Sequence, residues 1–299
     1  MHGTGVPLVT PFDDSGTVDR DRLRALVAWL EDRDVDFLVP CGSSGEAPLL
    51  TTDERIRVVE TVAEATDLPV LAGTGHEGFE PTLETTERAA AADADAALVV
   101  TPSYYGSDDE ALAAYYRDLA DDSPIPIYLY SVPKFTDHAL APETVASLAA
   151  HENVAGIKDS SGSLEALQRL VRLTADEEFA VLVGSGSFYA AGLTAGADGG
   201  VLALANVVPE RAKEIYRLHD AGRGDAARAL NADLVELNRA VTTRYGVPGI
   251  KAALATREQP VGSLRRPLQP LAETARGDIE SVLADALEAT GDTDPSPST

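Results

Sequence analysis

Lysine is scarce in this chain of 299 residues: Lys134, Lys158, Lys213 and Lys251 are the only four. Cysteine, methionine and tryptophan occur once each, and aromatic residues make up only 5%. A single cysteine, Cys41, excludes an intramolecular disulfide framework. The five histidines include no pair with ligand spacing on a shared face, so no metal is expected. No apolar stretch is long enough to span a membrane, and the amino terminus lacks the basic-then-apolar pattern of a signal peptide. A cytoplasmic protein is therefore expected. Basic residues number 24 against 49 acidic ones, a formal charge of −25, which excludes nucleic acid and anionic membrane surfaces as partners. Acid recurs along the chain, as in Asp13-Asp14, Asp32-Arg33-Asp34 and Asp108-Asp109-Glu110, and is not gathered into one tail. Such a coat, poor in lysine, suits high salt, where screening removes self-repulsion.

What is present is an alternation of short apolar runs with amphipathic stretches. Strands are predicted at Val6–Thr10, Asp36–Gly42, Pro69–Thr74, Ala96–Pro102, Pro126–Pro133, Val154–Asp159, Ala180–Gly184 and Gly200–Asn206. Most are continuously apolar, as in a parallel sheet covered on both faces. Helical periodicity lies between them, at Arg22–Glu31, Asp53–Ala65, Leu83–Ala92 and Leu164–Leu173 among others, with start signals at Thr51 to Glu54 and at Ser163. Eight such units predict a closed (β/α)8 TIM barrel over residues 1–222. A doubly wound open sheet is the rival, but no switch point is evident. Further helical patterns at Asp225–Thr242, Gly249–Ala255 and Gly277–Ala289 predict a helical extension over 223–290 packed on the barrel. The polar, proline-punctuated residues 291–299 read as a frayed tail.

Barrel chemistry sits at the carboxyl ends of the strands. Those ends supply Thr10, Gly42-Ser43-Ser44-Gly45, Thr74, Thr101 to Tyr105, Tyr130-Ser131, Lys158-Asp159-Ser160, Gly184-Ser185-Gly186 and Asn206. Lys158 closes the apolar run Val154 to Ile157. An amine desolvated at the mouth of an apolar core becomes neutral more readily, the form that attacks a ketone to make a Schiff base. A lysine snorkelling from a strand end is the bland alternative. Of the histidines only His76 falls at the rim, which disfavours a metal-dependent class II aldolase or amidohydrolase. Gly42 to Gly45 has the form of an anion nest, though a plain glycine turn reads equally well. Gly73-Thr-Gly-His-Glu-Gly78 matches a dinucleotide pattern in form, but no acidic residue follows to hold a ribose, so no nicotinamide cofactor is expected. Cys41 lacks a base partner and reads as a small buried apolar group.

Taken together, Gly42-Ser-Ser-Gly-Glu46, Thr101-Pro-Ser-Tyr-Tyr105, Tyr130-Ser-Val-Pro133, Gly156-Ile-Lys-Asp159, Gly199-Gly-Val201 through Ala205-Asn206, and Tyr245-Gly-Val-Pro-Gly-Ile-Lys251 resemble the dihydrodipicolinate synthase / N-acetylneuraminate lyase family of pyruvate-dependent class I aldolases. The resemblance spans Gly5 to Leu271. It implies Lys158 as the Schiff-base lysine and Tyr130 as the proton shuttle. It also implies Ser43 and Ser44 as holders of the pyruvyl carboxylate, Ser43 relaying protons as well. Tyr104, or its neighbour Tyr105, would complete a neighbouring subunit's site in a homotetramer built as a dimer of dimers. Gly42, Ser160, Gly184, Ser185 and Ala205 would line the site of a small 2-oxo acid. No cofactor is implied.

Departures from the family pattern narrow the substrate. Lysine-pathway synthases carry an arginine five positions after the motif tyrosine, where this chain has Phe135. Neuraminate lyases carry acidic residues near Gly184 to Ser187, which here is Gly-Ser-Gly-Ser. The pattern is closer to 2-keto-3-deoxygluconate aldolase, with 4-hydroxy-2-oxoglutarate aldolase next, and then 4-hydroxy-tetrahydrodipicolinate synthase or a 2-keto-3-deoxy acid dehydratase. Relatives that accept the 6-phosphate use an arginine after the Tyr-Tyr pair. Gly106 stands there, so weaker dependence on phosphate is expected, with Arg239 or Arg244 as substitutes from the extension. A catalytically silent 2-oxo-acid sensor is the alternative outside enzymes.

Overall fold

The computed structural model describes residues 1–259 and 261–289, so the predicted tail at 291–299 lies outside the described residues. Eight parallel strands form one sheet in the order β2-β1-β8-β7-β6-β5-β4-β3. They are β1 (Gly3–Val6), β2 (Phe37–Leu38), β3 (Leu71–Gly73), β4 (Ala96–Val100), β5 (Ile127–Ser131), β6 (Val154–Asp159), β7 (Ala180–Val183) and β8 (Gly199–Val201). A parallel bridge from Leu38 to Val70, with the Leu38 amide donating to the Pro69 carbonyl at 3.0 Å, joins β2 to β3 and closes the barrel. The (β/α)8 TIM fold is therefore present.

Helices α1 (Arg20–Glu31), α2 (Thr52–Ala63), α3 (Phe79–Ala91) and α4 (Asp109–Asp122) follow the first four strands. A single turn, α5 (Pro133–Thr136), leads into α6 (Pro142–Ala149), and α7 (Leu164–Leu173), α8 (Tyr189–Thr194) and α9 (Pro209–Asp220) complete the ring. Their starts are built locally. Thr51 and Glu54 exchange side-chain and backbone hydrogen bonds in a capping box at α2, and Ser163 accepts from the Ala166 amide to cap α7. Leucine, valine and isoleucine on the inner helix faces pack against the outward side chains of the strands to make the main core. A smaller cluster including Phe37, Leu71, Leu98, Tyr128, Leu182 and Val201 fills the barrel itself. Among the described residues no helix is long and apolar enough to cross a membrane.

Several elements differ from the sequence expectation: β2 is only Phe37–Leu38, and β8 ends at Val201, so that Ala203–Asn206, expected within the strand, forms a short helical turn. The first strand ends at Val6, where the prediction begins it: Pro7 has no N–H to donate, and beyond it only the Leu8 amide, donating to the Val39 carbonyl at 3.0 Å, continues toward the second unit. Leu8 and Val9 continue the apolar run but are buried in a loop, held by the Val9 amide donating to Asn206 Oδ1 at 3.1 Å. Asn206 is thus a buried tie between the first and last units. The helical stretch expected over Asp225–Thr242 is three pieces: α10 (Gly224–Asp233), α11 (Val235–Arg239) and a π-helical segment, Ala240–Arg244. After it come α12 (Gly246–Thr256) and α13 (Glu273–Glu288). The π segment turns Val241, Thr242 and Thr243 toward the mouth of the barrel.

Candidate active site

Strands β5 and β6 pair in register with Tyr130 opposite Lys158. Period-two alternation therefore sends both side chains to the same face, the barrel interior. The Lys158 ammonium nitrogen lies 4.1 Å from the centroid of the Tyr130 ring, and both residues are buried. Burial by itself would raise the phenol's pKa. The Lys158 charge and hydrogen bonds from Ser43, Lys158 and Ser160 outweigh it, so the phenol is held below its ordinary value. Ser43 Oγ lies 3.5 Å from the Tyr130 hydroxyl. Amine, phenol and hydroxyl thus form one contiguous polar group.

Lys158 and Tyr130 open onto a cavity of about 240 Å³ that is also lined by Ser43, Ser44, Ser160, Gly184 and Ser185. The sequence-predicted residues Lys158, Tyr130, Ser43, Ser44, Ser160, Gly184 and Ser185 are therefore brought together. Gly184 is glycine for a local reason: a Cβ there would sit 1.8 Å from Ser160 Oγ and 2.8 Å from the Asp159 carbonyl. Ser43–Gly45 forms a short helical turn, and the N–H groups of Ser43 and Ser44 at its start have no acceptor within it. Gly42 lines a second chamber, of about 330 Å³, which shares Ser43, Tyr130, Val132 and Phe135 with the first.

Two predicted residues lie elsewhere. Ala205 is fully buried, and Ala203, two residues earlier in the same turn, reaches the cavity instead. Tyr104 is 78% exposed and lines neither chamber; its ring packs edge-on against Tyr105 at 5.1 Å. The Tyr104 amide is fixed by Glu77, which accepts from it at 2.8 Å and from the Ser103 amide at 2.7 Å.

The weaker sequence signals resolve into structural roles. His76 is half-buried, bonded to Thr85 at 3.0 Å, and pushed down to about 4 by burial and then by the Arg55 charge. The Gly73 and Gly75 pattern reflects close strand packing: a Cβ on Gly73 would meet the Cys41 carbonyl at 2.0 Å, and one on Gly75 the Val100 amide at 2.7 Å. Cys41 is buried, its thiol pushed up to about 12 by desolvation. Among the described residues no cluster of three or more His, Cys, Asp or Glu is placed to hold a metal ion.

Sequence reasoning missed how the serine turn is held. Glu46, the last residue of the Gly-Ser-Ser-Gly-Glu motif, has a left-handed backbone and a buried carboxylate 2.7 Å from the Lys251 amine. Lys251 also donates to the carbonyls of Thr10 at 2.8 Å and Ser263 at 2.7 Å. The other Glu46 oxygen accepts from the Arg265 amide at 2.9 Å. The ends of two quoted motifs are therefore one buried ion pair, with α12 bracing the turn that carries Ser43 and Ser44. Thr242, Thr243 and Lys134 were likewise not anticipated as cavity residues.

Residues 1–286 match the model of the dihydrodipicolinate synthetase family. The 4-hydroxy-tetrahydrodipicolinate synthase of Methanothrix thermoacetophila is similar at 38% identity over 292 residues, covering 98% of this chain and 99% of that protein. An uncharacterised DapA-like lyase of Halobacterium salinarum is 38% identical over 287 residues, covering 95% and 94%. Among solved structures, the dihydrodipicolinate synthase of Acinetobacter baumannii complexed with pyruvate superposes with a TM-score of 0.91 at 31% identity, covering 95% of this chain and 98% of that one. With its barrel matched over nearly the whole length, this chain belongs to the dihydrodipicolinate synthetase family and is a pyruvate-dependent lyase of the class I aldolase type.

Proposed function

We propose that the protein cleaves a 2-keto-3-deoxy sugar acid, 2-keto-3-deoxygluconate or its 6-phosphate, to pyruvate and glyceraldehyde or its 3-phosphate. The observation that carries this reading is the cavity wall around Lys158. Ser43, Ser44, Ser160, Ser185, Thr242 and Thr243 line it and, among the described residues, no arginine does. These hydroxyls, set among apolar residues such as Val132, Val201 and Ile250, can exchange hydrogen bonds with a polyol at little net desolvation cost. Phe135, where lysine-pathway synthases carry an arginine, is 62% exposed at the mouth and offers no donor to a carboxylate.

The chemistry follows from the side chains. The neutral amine of Lys158 adds to the C2 ketone, and loss of water leaves a protonated iminium. The C1 carboxylate sits on the amides and hydroxyls of Ser43 and Ser44. Tyr130, as phenolate, takes the proton of the C4 hydroxyl; the C3–C4 bond breaks, its electron pair moves into the iminium, and the aldehyde departs. The enamine left on Lys158 is protonated at C3 and hydrolysed to pyruvate. Ser43, against the Tyr130 hydroxyl, passes the phenolic proton outward. Gly42 and Ala205 shape the walls from behind, and Tyr104 belongs in the site of a neighbouring copy in a homotetramer.

A second reading, 4-hydroxy-tetrahydrodipicolinate synthase, has the name of the Methanothrix relative in its favour. Product analysis separates the alternatives. The sugar acid yields pyruvate plus glyceraldehyde if the first reading holds and a dehydrated six-carbon product from a dehydratase. It yields neither from a 2-oxo-acid sensor. Condensation of pyruvate with aspartate semialdehyde at a higher kcat/KM than sugar-acid cleavage would establish the second reading. A higher value for 4-hydroxy-2-oxoglutarate would place that substrate first.

A further inference from the structure

The four lysines are not alike in their partners. Lys213 pairs with Asp36 at 2.5 Å, Lys251 with Glu46 at 2.7 Å, and Lys158 lies on Tyr130. Lys134 has no carboxylate partner among the described residues, in a chain where acidic residues outnumber basic ones 49 to 24. It lines the same cavity as Lys158 and, apart from Lys158, is the only cationic residue among the described ones that do. Its amine donates a single hydrogen bond, at 3.1 Å, to the Thr242 carbonyl of the π segment on the far side of the mouth. The backbone beneath it is fixed: Pro133 starts the α5 turn, and Thr136 Oγ1 bonds the carbonyls of Val132 at 3.2 Å and His138 at 3.0 Å. Arg239 and Arg244, the cations expected from the extension, lie outside the cavity lining. Arg239 is paired with Glu236 at 3.1 Å and Arg244 with Asp278 at 2.6 Å.

We propose that Lys134 is a specificity residue that receives an anionic group on the end of the substrate distal to C2. The proposal deepens the aldolase reading and rests on it for the identity of that end. In a 2-keto-3-deoxy sugar acid the anion is the 6-phosphate. In 4-hydroxy-2-oxoglutarate it is the second carboxylate. The shared chemistry is an oxyanion reaching the cavity mouth while C2 is bound to Lys158. On binding, the ammonium exchanges the neutral Thr242 carbonyl for a charged acceptor, a stronger partner. Because Lys134 is exposed, the gain is modest and falls with salt. On this proposal Lys134 supplies a cation that the missing arginine after the Tyr-Tyr pair does not.

Two measurements test it. The first compares kcat/KM for 2-keto-3-deoxygluconate, its 6-phosphate and 4-hydroxy-2-oxoglutarate in the wild type, Lys134→Gln and Lys134→Arg. Selectivity for the anionic over the uncharged tail falls about three- to fivefold in Lys134→Gln, is partly restored in Lys134→Arg, and declines in the wild type as KCl is raised. A response confined to the phosphate ester or to the dicarboxylate identifies which anion the site takes. Selectivity unchanged within about twofold overturns the proposal. The second needs no turnover: glycerol 3-phosphate is titrated by calorimetry into enzyme whose pyruvate Schiff base has been reduced with borohydride. Binding about threefold or more weaker in Lys134→Gln supports the assignment, equal binding refutes it, and no binding to the wild type excludes the phosphate ester and leaves the dicarboxylate to the kinetic comparison. Successful borohydride labelling of the variant shows that it is folded. Absence of pyruvate release from either sugar acid would instead defeat the aldolase reading, a result distinct from any change at Lys134.

Discussion

At Tyr130 a positive charge and three hydrogen bonds overcome burial, and that balance decides whether a phenol can act as a base near neutral pH. In the proposed mechanism, lowering the phenol's pKa extends the phenolate, and with it the cleavage rate, to lower pH. Activity therefore falls on the acid side as the phenol is protonated. Ser43→Ala removes one of the hydrogen bonds that lower the value, so the acid limb of the kcat profile should move to higher pH. An unmoved limb would mean that Ser43 does not act on Tyr130. Tyr130→Phe should lower kcat by about 10²–10⁴-fold, the usual worth of a positioned general base, while Lys158 still forms a borohydride-reducible adduct with pyruvate. Loss of both would point to misfolding and not to a lost proton shuttle. Strand ends, and for Lys158 a lysine closing an apolar run, made these residues candidates in the sequence, while the roles of Tyr130 and Ser43 came from the family resemblance. Lys134 was not a candidate, since nothing in its neighbourhood tells which way a side chain on a single helical turn points.

Between elements, the decisive contact is the buried pair of Glu46, beyond the serine turn, and Lys251, on α12. Removing one member leaves an uncompensated buried charge, so Lys251→Ala should cost about 3–5 kcal/mol in chemical denaturation. If the pair braces the turn, the surviving fold should also bind pyruvate more weakly. A Lys251→Ala variant of unchanged stability would show that the pair is open to water. No local pattern joins two residues so far apart in the chain, although each closes a motif that the sequence makes conspicuous. Strands β4 to β7 were legible because their apolar runs are continuous and uninterrupted. β1 was misplaced because Leu8 and Val9 prolong its apolar run beyond Val6, where the regular strand ends, although the Leu8 amide still donates to the Val39 carbonyl at 3.0 Å. The π segment was missed for a related reason. A 3.6-residue period carried through residues 225–242 predicts one continuous helix, whereas the extra residue per turn rotates Thr242 and Thr243 into the cavity.

Across the molecule, a formal charge of −25 sets the conditions under which these contacts operate. Self-repulsion of the acidic coat is screened at molar salt, so the proposed adaptation predicts a higher thermal midpoint in KCl than in dilute buffer; a salt-independent midpoint would contradict it. The exposed Tyr104 and Tyr105 pair is the surface feature that the proposed homotetramer would bury. Light scattering at the assay concentration should return the mass of four chains, and Tyr104→Phe should then lower kcat; a fully active monomer would free Tyr104 of any part in a neighbour's site. The aldolase reading itself is tested most directly by pyruvate release from 2-keto-3-deoxygluconate and its 6-phosphate in molar KCl, with Lys158→Ala beside the wild type. Release by the wild type, together with its loss in the variant, is the predicted result. A folded wild-type enzyme that traps pyruvate with borohydride yet releases none from either sugar acid would contradict it.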